Sequence, residues 1–430
     1  MSTIVILCDH AHPSGGLAKV AIAGAVGLAR RGHRVHFFTA VPPIDPALLI
    51  DGITVHCLDQ PDLKGNADRM QAALRGLWNR ESARALDELL ARCPANDTVV
   101  HIHGWAKALS PSVFPVCRRS GLPVLLTLHD YFPLCPNGAF FVFPEGVNCP
   151  HRALSAGCLA TDCDARARHH KWWRAARHAA GALAGGFTGG MALVTLSDRQ
   201  RAVIAPHLPP GTITLPIPNP VEVPDEIRDR APAPVADSRH VLFVGRLSRE
   251  KGAALLAKAA AQAGAPVRFV GDGDEAEAVR RLNPEAELAG WLPPGAVLEE
   301  VRQARALVVP SLWYETFGLA AYEALANGVP VIVSDNCAAA EAVRPGGNGF
   351  LFRSGDAADL ARCLRLLSHD GEVERMGRTA HDDYWQAPFT LDRHLDRVEE
   401  VYRAALSGGL AAMARLNADP SPGAARACAP

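Results

Sequence analysis

Short apolar runs alternate with longer helix-like segments along most of this chain, and that alternation is typical of a parallel sheet covered by helices. A proline-rich stretch at 216–238 interrupts the alternation, which then restarts. The 430 residues, 48% of them hydrophobic, are enough for two cores. The sequence therefore predicts an α/β fold made of two doubly wound domains. The strand-like runs lie at 3–8, 34–39, 53–58, 98–103, 122–128 and 192–196, and then at 240–245, 266–271, 305–310 and 329–333.

These patterns also set the expected domain limits. We expect a first domain at 1–217, which includes a cysteine-rich loop at 135–163, and a second domain at 239–385. Residues 218–238 lack periodicity and are rich in proline, so they are expected to form a linker. The remainder is expected to divide into a helix that returns to the first domain, 386–407, and a disordered tail, 408–430.

Charge and cysteine content exclude several classes of protein. The formal net charge is −1, so there is no basic excess to neutralise a nucleic acid backbone, and no nucleic acid partner is expected. Eleven cysteines, an odd number, argue against a secreted disulfide framework. The opening MSTIVILCDH reads as a strand and lacks the features of a signal peptide. We expect a cytoplasmic protein.

A glycine-basic loop follows the first strand of the second domain. In the run GRLSREKG at 245–252, Arg246 and Lys251 lie between that strand and a helix. Ligands of open parallel sheets collect at the carboxyl ends of strands, and two cations beside a helix start suit a pyrophosphate. A solvated turn with two surface bases is the plainer reading of this loop alone.

Two glutamates, Glu315 and Glu323, lie eight positions apart in WYETFGLAAYEALANG, with a helix expected to start near Gly318. Glu315 then precedes the helix and Glu323 occupies its second turn, so both carboxylates can face one cavity. The amides at the helix start would favour an anionic group. Sugar hydroxyls and a phosphate could therefore bind to one element. The less specific alternatives are a helix-dipole partner for Glu315 and an exposed ion-pair partner for Glu323.

The chain resembles the family 4 retaining glycosyltransferases of the GT-B architecture, in which two Rossmann-like doubly wound domains face each other across a cleft. The resemblance covers nearly everything before the tail. The motifs that carry it are GGLAKV at 15–20, LTLHD at 126–130, PNPV at 218–221, GRLSREKG, VGDGDE at 270–275, GWLPP at 290–294 and the two glutamates.

The resemblance implies that the second domain binds a nucleoside diphosphate sugar and the first domain an acceptor, with retention of configuration and no metal required for catalysis. It assigns Glu315, His129, Arg246 and Lys251 to catalysis. Donor-binding roles would fall on Gly16, Arg246, Lys251, Trp291, Leu292, Glu315, Phe317, Gly318, Leu319 and Glu323. The acceptor would be a glycan or a lipid-linked molecule, and polysaccharide or glycoconjugate synthesis the setting. We favour same-face attack assisted by the leaving phosphate over a covalent intermediate.

Acceptor-side candidates lie in the first domain. Gly15, in the first strand-to-helix loop, leaves room for phosphate or acceptor beside the backbone. His101, His103 and Trp105 close the strand-like run VVHIHGWAK. A structural role for the two histidines is the alternative. For His129, the alternative is a core histidine near a strand end.

Two loops depart from the family pattern. CAAAEAV at 337–343 lacks the glycine pair expected before Glu341, which would change the approach to the donor sugar. Asp272 and Asp274 form a D-x-D pattern that binds manganese in other glycosyltransferases. Because these acids lie between a strand and a helix start, helix capping is the interpretation we favour.

Four cysteines, Cys135, Cys149, Cys158 and Cys163, fall within 29 residues. Thiolates suit a structural zinc ion or an iron-sulfur centre, but the spacing lacks C-x2-C knuckles. Free thiols remain the alternative.

The segment ARARHHKWWRAARHAAGAL at 165–183 has five arginines and lysines and no acid. It could rest on an anionic membrane as a peripheral contact. The favoured alternative is a helix that packs its Trp172 face on the sheet and leaves its bases in solvent.

Three other functions compete with the glycosyltransferase reading. An oxidoreductase is disfavoured because the first loop, SGGLAKV, lacks G-x-G-x-x-G and the next strand ends without a ribose-binding acid. A non-catalytic protein that binds sugar nucleotides, or a sugar-nucleotide epimerase of the same architecture, stays open.

Overall fold

The computed structural model describes residues 1–418, which form two compact units. The first unit contains Met1–Phe140, Pro150–Pro220 and the chain from Thr390 to residue 418. The second contains Phe141–Cys149 and Val221–Phe389. Each unit is built on one parallel sheet.

The first unit has a seven-stranded parallel sheet. In chain order the strands up to the linker region are β1 (Thr3–Leu7), β2 (Arg34–Thr39), β3 (Ile53–Cys57), β4 (Thr98–Ile102), β5 (Val124–Thr127), β6 (Phe141–Val142), β7 (Val147–Asn148), β8 (Ala192–Thr195) and β9 (Ile213–Pro216). The sheet order is β3-β2-β1-β4-β5-β8-β9, while β6 and β7 pair separately as an antiparallel hairpin. The order reverses at β1, so the edge beyond β1 and β4 is the topological switch point of this sheet.

Helices cover the sheet because their apolar residues recur at helical spacing. Those of the first unit are α1 (Gly16–Arg30), α2 (Arg69–Leu77), α3 (Arg80–Leu90), α4 (Val113–Arg119), α5 (Ala156–Ala160), α6 (Arg168–Leu183) and α7 (Asp198–Ile204). Side chains cap several helix starts: Asp68 accepts from Met70 and Gln71 amides, and Asn79 accepts from the Ser82 amide. Such caps satisfy amides that have no partner within the helix.

The second unit has a six-stranded parallel sheet in the order β12-β11-β10-β13-β14-β15. Its strands are β10 (Val241–Val244), β11 (Val267–Val270), β12 (Glu287–Gly290), β13 (Ala306–Val309), β14 (Val331–Ser334) and β15 (Gly349–Phe352). Its helices are α8 (Ala253–Ala263), α9 (Ala276–Leu282), α10 (Pro294–Arg302), α11 (Leu319–Ala326), α12 (Ala357–Leu366) and α13 (Asp370–Gln386).

The last helix, α14 (Leu391–Ala418), packs into the core of the first unit. Leu395, Val398, Val401 and Tyr402 share one buried cluster with strands β1 and β2. Polar contacts add to this packing: Arg31 donates to Asp396 at 2.7 Å, to Asp392 at 2.9 Å and to Glu399 at 3.1 Å, and His33 Nε2 lies within hydrogen-bond distance of Glu399, at 3.0 Å.

Several expected boundaries differ from the structure. The sequence does not predict strands β9, β12 and β15, nor β6 and β7 within the loop expected at 135–163. Residues 408–418, predicted to be disordered, are helical beyond a break in helical geometry at Gly408 and Gly409, while 419–430 lie outside the described residues. Part of the cysteine-rich loop, Phe141–Cys149, groups with the second unit.

The stretch predicted to be a linker, 218–238, is for the most part not free chain. From Val221 it belongs to the second unit, where Ile227, Ala233 and Val235 are buried. Its backbone is also engaged: Ala233 donates to the Asn327 carbonyl at 2.9 Å. No helix within residues 1–418 has both the length and the apolar content to cross a membrane.

Removal of the Arg31 side chain tests how α14 is held. We expect Arg31→Ala to lower the free energy of unfolding by roughly 1–2 kcal/mol, because one guanidinium serves three carboxylates in a network and is only 24% exposed. Urea denaturation followed by circular dichroism measures this loss.

The matched control is Arg84→Ala. Arg84 is 83% exposed and pairs with Glu88 on its own helix, so its loss is expected to leave the free energy of unfolding nearly unchanged. Equal effects of the two substitutions would contradict a special role for Arg31.

Candidate functional site

The loop that follows β10 is held against the end of β13 by a close backbone approach. It carries Arg246, forms a 3-10 turn at Arg249–Lys251 and reaches α8 through Gly252, whose φ is 74°. A Cβ at Gly252 would lie 2.0 Å from the Pro310 carbonyl oxygen. Only glycine suits both the positive φ and this contact. The approach sets Lys251 beside the segment that follows β13.

Lys251 and Glu315 form the central ion pair of the site. Lys251 Nζ lies 2.5 Å from Glu315 Oε1, and Ser311 Oγ donates to Glu315 Oε2 at 2.7 Å. Both ionic side chains are largely buried, at 24% and 14% exposure. The Lys251 ammonium also lies 5.4 Å from the centroid of the Trp313 ring. Each carboxylate oxygen therefore has a donor and a fixed direction.

Glu315 is ionised in the folded protein. Burial alone would raise the pKa of its carboxyl group, but the charge and hydrogen bond of Lys251, with hydrogen bonds from Ser311 and Trp313, hold the pKa below its ordinary value. The carboxylate is consequently an acceptor only, which suits the hydroxyl groups of a ligand.

Arg246 lies on the same loop with its guanidinium open to solvent. Its side chain is 63% exposed, and Nη2 donates to Glu250 Oε1 at 2.9 Å. Glu250 also ties the loop to the segment that carries Glu315, because its carbonyl oxygen accepts from the Leu312 amide at 2.8 Å. Most of the guanidinium donors therefore stay available to an anion.

The start of α11 presents amides that have no protein partner. Gly318 caps the helix with φ 90°, and within residues 1–418 the amides of Phe317, Gly318 and Leu319 donate to no protein group. The Phe317 ring is 3% exposed and stacks on Tyr322 at 4.6 Å, which fixes this helix start. Free amides at the amino end of a helix form an anion site.

The loop that lacks the expected glycines approaches the same place. Ala338–Ala342 forms a 3-10 helix, and the Ala338 amide donates to the Glu315 carbonyl at 3.1 Å. A Cβ added to Gly318 would lie 3.0 Å from the Ala339 Cβ. The alanines therefore pack against the helix start. Glu323 lies in the second turn of α11 and is half-buried.

The loop after β12 carries the remaining donor-side candidates. Trp291 is 71% exposed and Leu292 is half-buried. The Trp291 amide donates to Asp272 Oδ2 at 3.1 Å, so Asp272 holds this loop. That contact gives Asp272 of the D-x-D pattern a structural role.

Histidines gather at the carboxyl edge of the first sheet. His103 Nδ1 lies 3.0 Å from His129 Nε2, while His101 bridges Thr127 at 2.7 Å and Tyr402 at 2.6 Å. Burial lowers the pKa of His101 and of His129 to about 3, and that of His103 well below its usual value. These imidazoles are neutral at physiological pH. His101 is fully engaged between its two partners and has a structural role.

A small cavity opens at the same edge, here called the strand-end cavity. Its volume is about 40 Å³. The residues that matter for its chemistry are Asp9, Gly15, His103, Lys107, Thr127 and Asp130. Trp105 also borders it, but its ring is 4% exposed and stacks on Phe187 at 5.0 Å, so it is mainly a core residue. Gly15 is exposed and Gly16 begins α1.

The four cysteines do not form the metal site considered above. Within the described part of the chain no group of three or more histidine, cysteine, aspartate or glutamate side chains is arranged to hold a metal ion. Cys163 Sγ instead lies 3.2 Å from the Lys171 ammonium, and Cys135 Sγ donates to Asn137 Oδ1 at 3.1 Å. Cys149 groups with the second unit and the others with the first. The thiols of Cys135 and Cys163 are therefore engaged by protein groups.

Helix α6 is packed by a different face from the one expected. Trp172 is 48% exposed and Leu183 90% exposed, so the predicted packing of the Trp172 face on the sheet is wrong. The neighbouring Trp173 packs instead, and its Nε1 donates to the Ala73 carbonyl at 3.1 Å. Two of the basic residues, Lys171 and Arg177, are buried and not in solvent.

Sequence reasoning missed several residues of these sites. Ser311 and Glu250 orient the charged groups of the second unit, and Asp9, Lys107 and Asp130 line the strand-end cavity. The sequence signal that could have identified them is their position near the end of a strand. Asp130 adjoins the histidine of LTLHD, and Glu250 lies within GRLSREKG.

Loss of the Lys251 charge is expected to destabilise the second unit. Lys251→Met leaves the Glu315 carboxylate buried without its cation, which costs roughly 2–4 kcal/mol at neutral pH. The pKa of Glu315 is depressed in the folded wild type, so the contribution of the pair is present above the ordinary value of 4.5 and is lost as the pH falls through the folded-state pKa. Urea unfolding at several pH values measures it.

The difference between wild type and variant should therefore be largest near pH 7 and shrink below pH 4.5. Lys258→Met, a change at an exposed lysine of α8, is the control and should be neutral. A pH-independent difference would rule out the ion pair as its origin.

Comparison with known proteins gives matches over nearly the whole chain. The model described as Glycosyltransferase Family 4 matches residues 14–223, and the one described as Glycosyl transferases group 1 matches residues 225–382. A D-inositol 3-phosphate glycosyltransferase of Nocardia farcinica is 28% identical over 94% of this chain and 89% of its own length. A sulfoquinovosyl transferase of Arabidopsis thaliana is 31% identical over 39% of this chain.

Solved structures share the fold. Sucrose-phosphate synthase of Thermosynechococcus elongatus superposes with a TM-score of 0.66 at 21% identity and covers 94% of this chain and 98% of its own. HepE of Anabaena, in complex with UDP and glucose, has a TM-score of 0.63 at 17% identity, with 94% and 100% covered. With two parallel-sheet units of the GT-B class and both family models matched, this chain belongs to the family 4 glycosyltransferases.

Proposed function

We propose that this protein is a retaining glycosyltransferase that moves a sugar, of hexose type, from a nucleoside diphosphate sugar to a hydroxyl group of a glycan or lipid-linked acceptor. The observation that carries the proposal is the Lys251–Glu315 pair beside the free amides at the start of α11. A cation and the amides of a helix start suit the diphosphate of a sugar nucleotide, and a carboxylate suits the hydroxyl groups of its sugar.

Cationic and anionic residues bind different parts of the sugar nucleotide. Arg246, Lys251 and the amides of Phe317 to Leu319 bind the diphosphate, whose negative charge grows as it departs. Glu315 accepts from hydroxyls of the donor sugar, and Glu323 from those of the ribose. Trp291 and Leu292 border the base. Fixed cations and amides thus supply the charge stabilisation that a metal ion would otherwise give, so no metal is required.

The configuration at the anomeric carbon is retained because the acceptor attacks that carbon from the same face that the leaving group leaves. The bond from the anomeric carbon to the phosphate oxygen breaks, the acceptor oxygen bonds to that carbon on the same face, and the acceptor proton passes to the departing phosphate oxygen. Glu315 is held by Lys251 and Ser311, which favours a role in hydroxyl binding over one as nucleophile. Neutral His129 is suited to hydrogen bonding with the sugar.

Uridine diphosphate sugars are the first donors to test. HepE, which shares the fold, has been solved with UDP and with UDP-glucose. For the acceptor, several relatives at 28% identity are named for inositol 3-phosphate, which makes a polyol phosphate a reasonable first probe. Polysaccharide or glycoconjugate synthesis in the cytoplasm is the setting we propose.

Peripheral contact with an anionic membrane is part of the proposal. The exposed large apolar side chains of α6 are Trp172 and Leu183, and the exposed bases Arg166 and Arg168 lie at the start of the helix. The adjacent helix α2 adds Met70 at 71% exposure and Leu74 at 59%. Exposed apolar side chains bordered by bases suit a lipid surface with anionic headgroups.

A thermal-shift screen with nucleoside diphosphate sugars tests donor binding. One donor is expected to raise the melting temperature, since it binds the folded state alone. Arg246→Ala and Glu323→Ala should each weaken that affinity roughly 10- to 100-fold, because each removes a hydrogen bond to a charged group. Arg280→Ala, at an exposed arginine of α9, is the control and should leave the affinity unchanged.

Absence of a shift with any donor, or equal loss in the control, would contradict the proposed site. Slow hydrolysis of the bound donor without acceptor separates an enzyme from a non-catalytic binder. Conversion of the donor into an isomeric sugar nucleotide would instead indicate an epimerase.

Vesicle co-sedimentation tests the membrane contact. We expect binding to vesicles that contain phosphatidylglycerol, weakened by salt and by the double substitution Trp172→Ser and Leu183→Ser. The control is Leu49→Ser, at a leucine that is 68% exposed on another element. Unchanged binding in the double variant would exclude α6 as the contact.

A further inference from the structure

Two aspartates, Asp9 and Asp130, line the strand-end cavity, and they differ in how many of their carboxylate oxygens accept hydrogen bonds from the protein. Asp9 is 4% exposed and accepts three backbone amides, from Lys107 at 2.9 Å, Ala108 at 2.8 Å and Leu109 at 2.9 Å. Both of its oxygens are occupied by these bonds. Asp9 therefore serves to pin the loop that follows β4.

One carboxylate oxygen of Asp130 has no hydrogen-bond donor among the described residues. Its Oδ1 accepts from the Phe132 amide at 3.1 Å, and among residues 1–418 no group donates to its Oδ2. The Asp130 side chain is half-buried, so a carboxylate oxygen without a protein donor at the wall of a cavity is open to a hydrogen-bond donor from a ligand. The cavity beside it has a volume of about 40 Å³. Since roughly 10–15 Å³ of such space is enough to hold one water molecule, the cavity has room for a hydroxyl group.

The charges around the cavity favour a neutral hydrogen-bond donor over a cationic ligand. The exposed Lys107 lines the same cavity. Arg177 is 4% exposed, donates to the Ala106 carbonyl at 2.7 Å and lies 4.9 Å from the ring of Phe132, another wall residue. Two cations thus already balance the two aspartates. An ammonium ligand would meet repulsion, whereas an O–H group needs only the free oxygen.

We infer that Asp130 is an acceptor-binding residue, whose Oδ2 takes a hydrogen bond from one neutral hydroxyl group of a sugar or polyol in the strand-end cavity. The cavity lies at the carboxyl edge of the first sheet beside its switch point, where ligands of such sheets collect. This inference rests on the proposed function. It makes Asp130 a determinant of acceptor specificity, separate from the donor residues of the second unit.

The kinetic test is Asp130→Asn in the full chain, with the donor found by the screen and glycerol and myo-inositol as hydroxyl acceptors. The acceptor KM should rise at least about 10-fold, the loss expected for a hydrogen bond to a charged group, while the donor KM and donor hydrolysis without acceptor stay within twofold. Asp68→Asn, which keeps a residue able to cap α2, is the control. An unchanged acceptor KM, or a matching change in donor KM, would overturn the inference.

A stability measurement shows that the variant folds. Burial raises the pKa of Asp130 from 3.8 to about 6, so the ionised carboxylate destabilises the fold above that pH, and the cost vanishes below the ordinary value. Asp130→Asn should therefore melt at a higher temperature than wild type at pH 7.5 and lose that gain near pH 3.8.

A titration without any donor keeps the inference separate from the proposed function. The carboxyl carbon of Asp130 is followed by NMR as a function of pH, in glycerol and in an equal concentration of 1,2-dimethoxyethane, which has no hydroxyl. Glycerol should lower the apparent pKa from about 6, because an O–H donor stabilises the carboxylate, and the ether should not. Equal shifts, or none in glycerol, would refute a hydroxyl site even in a protein that transfers sugar.

Discussion

The ion pair between Lys251 and Glu315 is the contact on which the site in the second unit depends. It joins the loop after β10 to the loop after β13, and its position follows from the glycine that lets one backbone approach another. Two loops that are distant in sequence thereby hold a cation, a carboxylate and a helix start in a fixed arrangement. Catalytic groups arranged in advance need little reorganisation when charge develops.

The two units handle polarity in opposite ways at the ends of their strands. The second unit uses full charges with paired oxygens and exposed guanidinium donors, as in Arg246. The first unit uses neutral imidazoles, since burial keeps His101, His103 and His129 uncharged, together with one partly unsatisfied carboxylate. Those environments match the two kinds of ligand proposed here, a dianionic diphosphate and uncharged hydroxyl groups.

Sequence alone indicated the fold class and the loops that bear charge, because apolar runs and glycine-basic motifs are local signals. It missed β9, β12 and β15, since ITLP, ELAG and GFLF are too short or too mixed to stand out. It also chose the wrong tryptophan on α6. Trp172 and Trp173 are adjacent, and only the neighbouring helix α2 determines which one is covered. Partners such as Ser311 for Glu315 depend on tertiary contacts that no spacing rule encodes.

Helix α14 has a consequence for how the chain acquires its structure during synthesis. The core of the first unit includes Leu395, Val398 and Tyr402, although its sheet is complete at Pro216. About 170 residues separate the end of β9 from the start of α14, and while the ribosome adds them the apolar face of the nascent unit lacks the cover that α14 provides. During that interval the nascent chain is open to aggregation and to chaperone binding. The apolar face is covered only after nearly the entire polypeptide has left the exit tunnel.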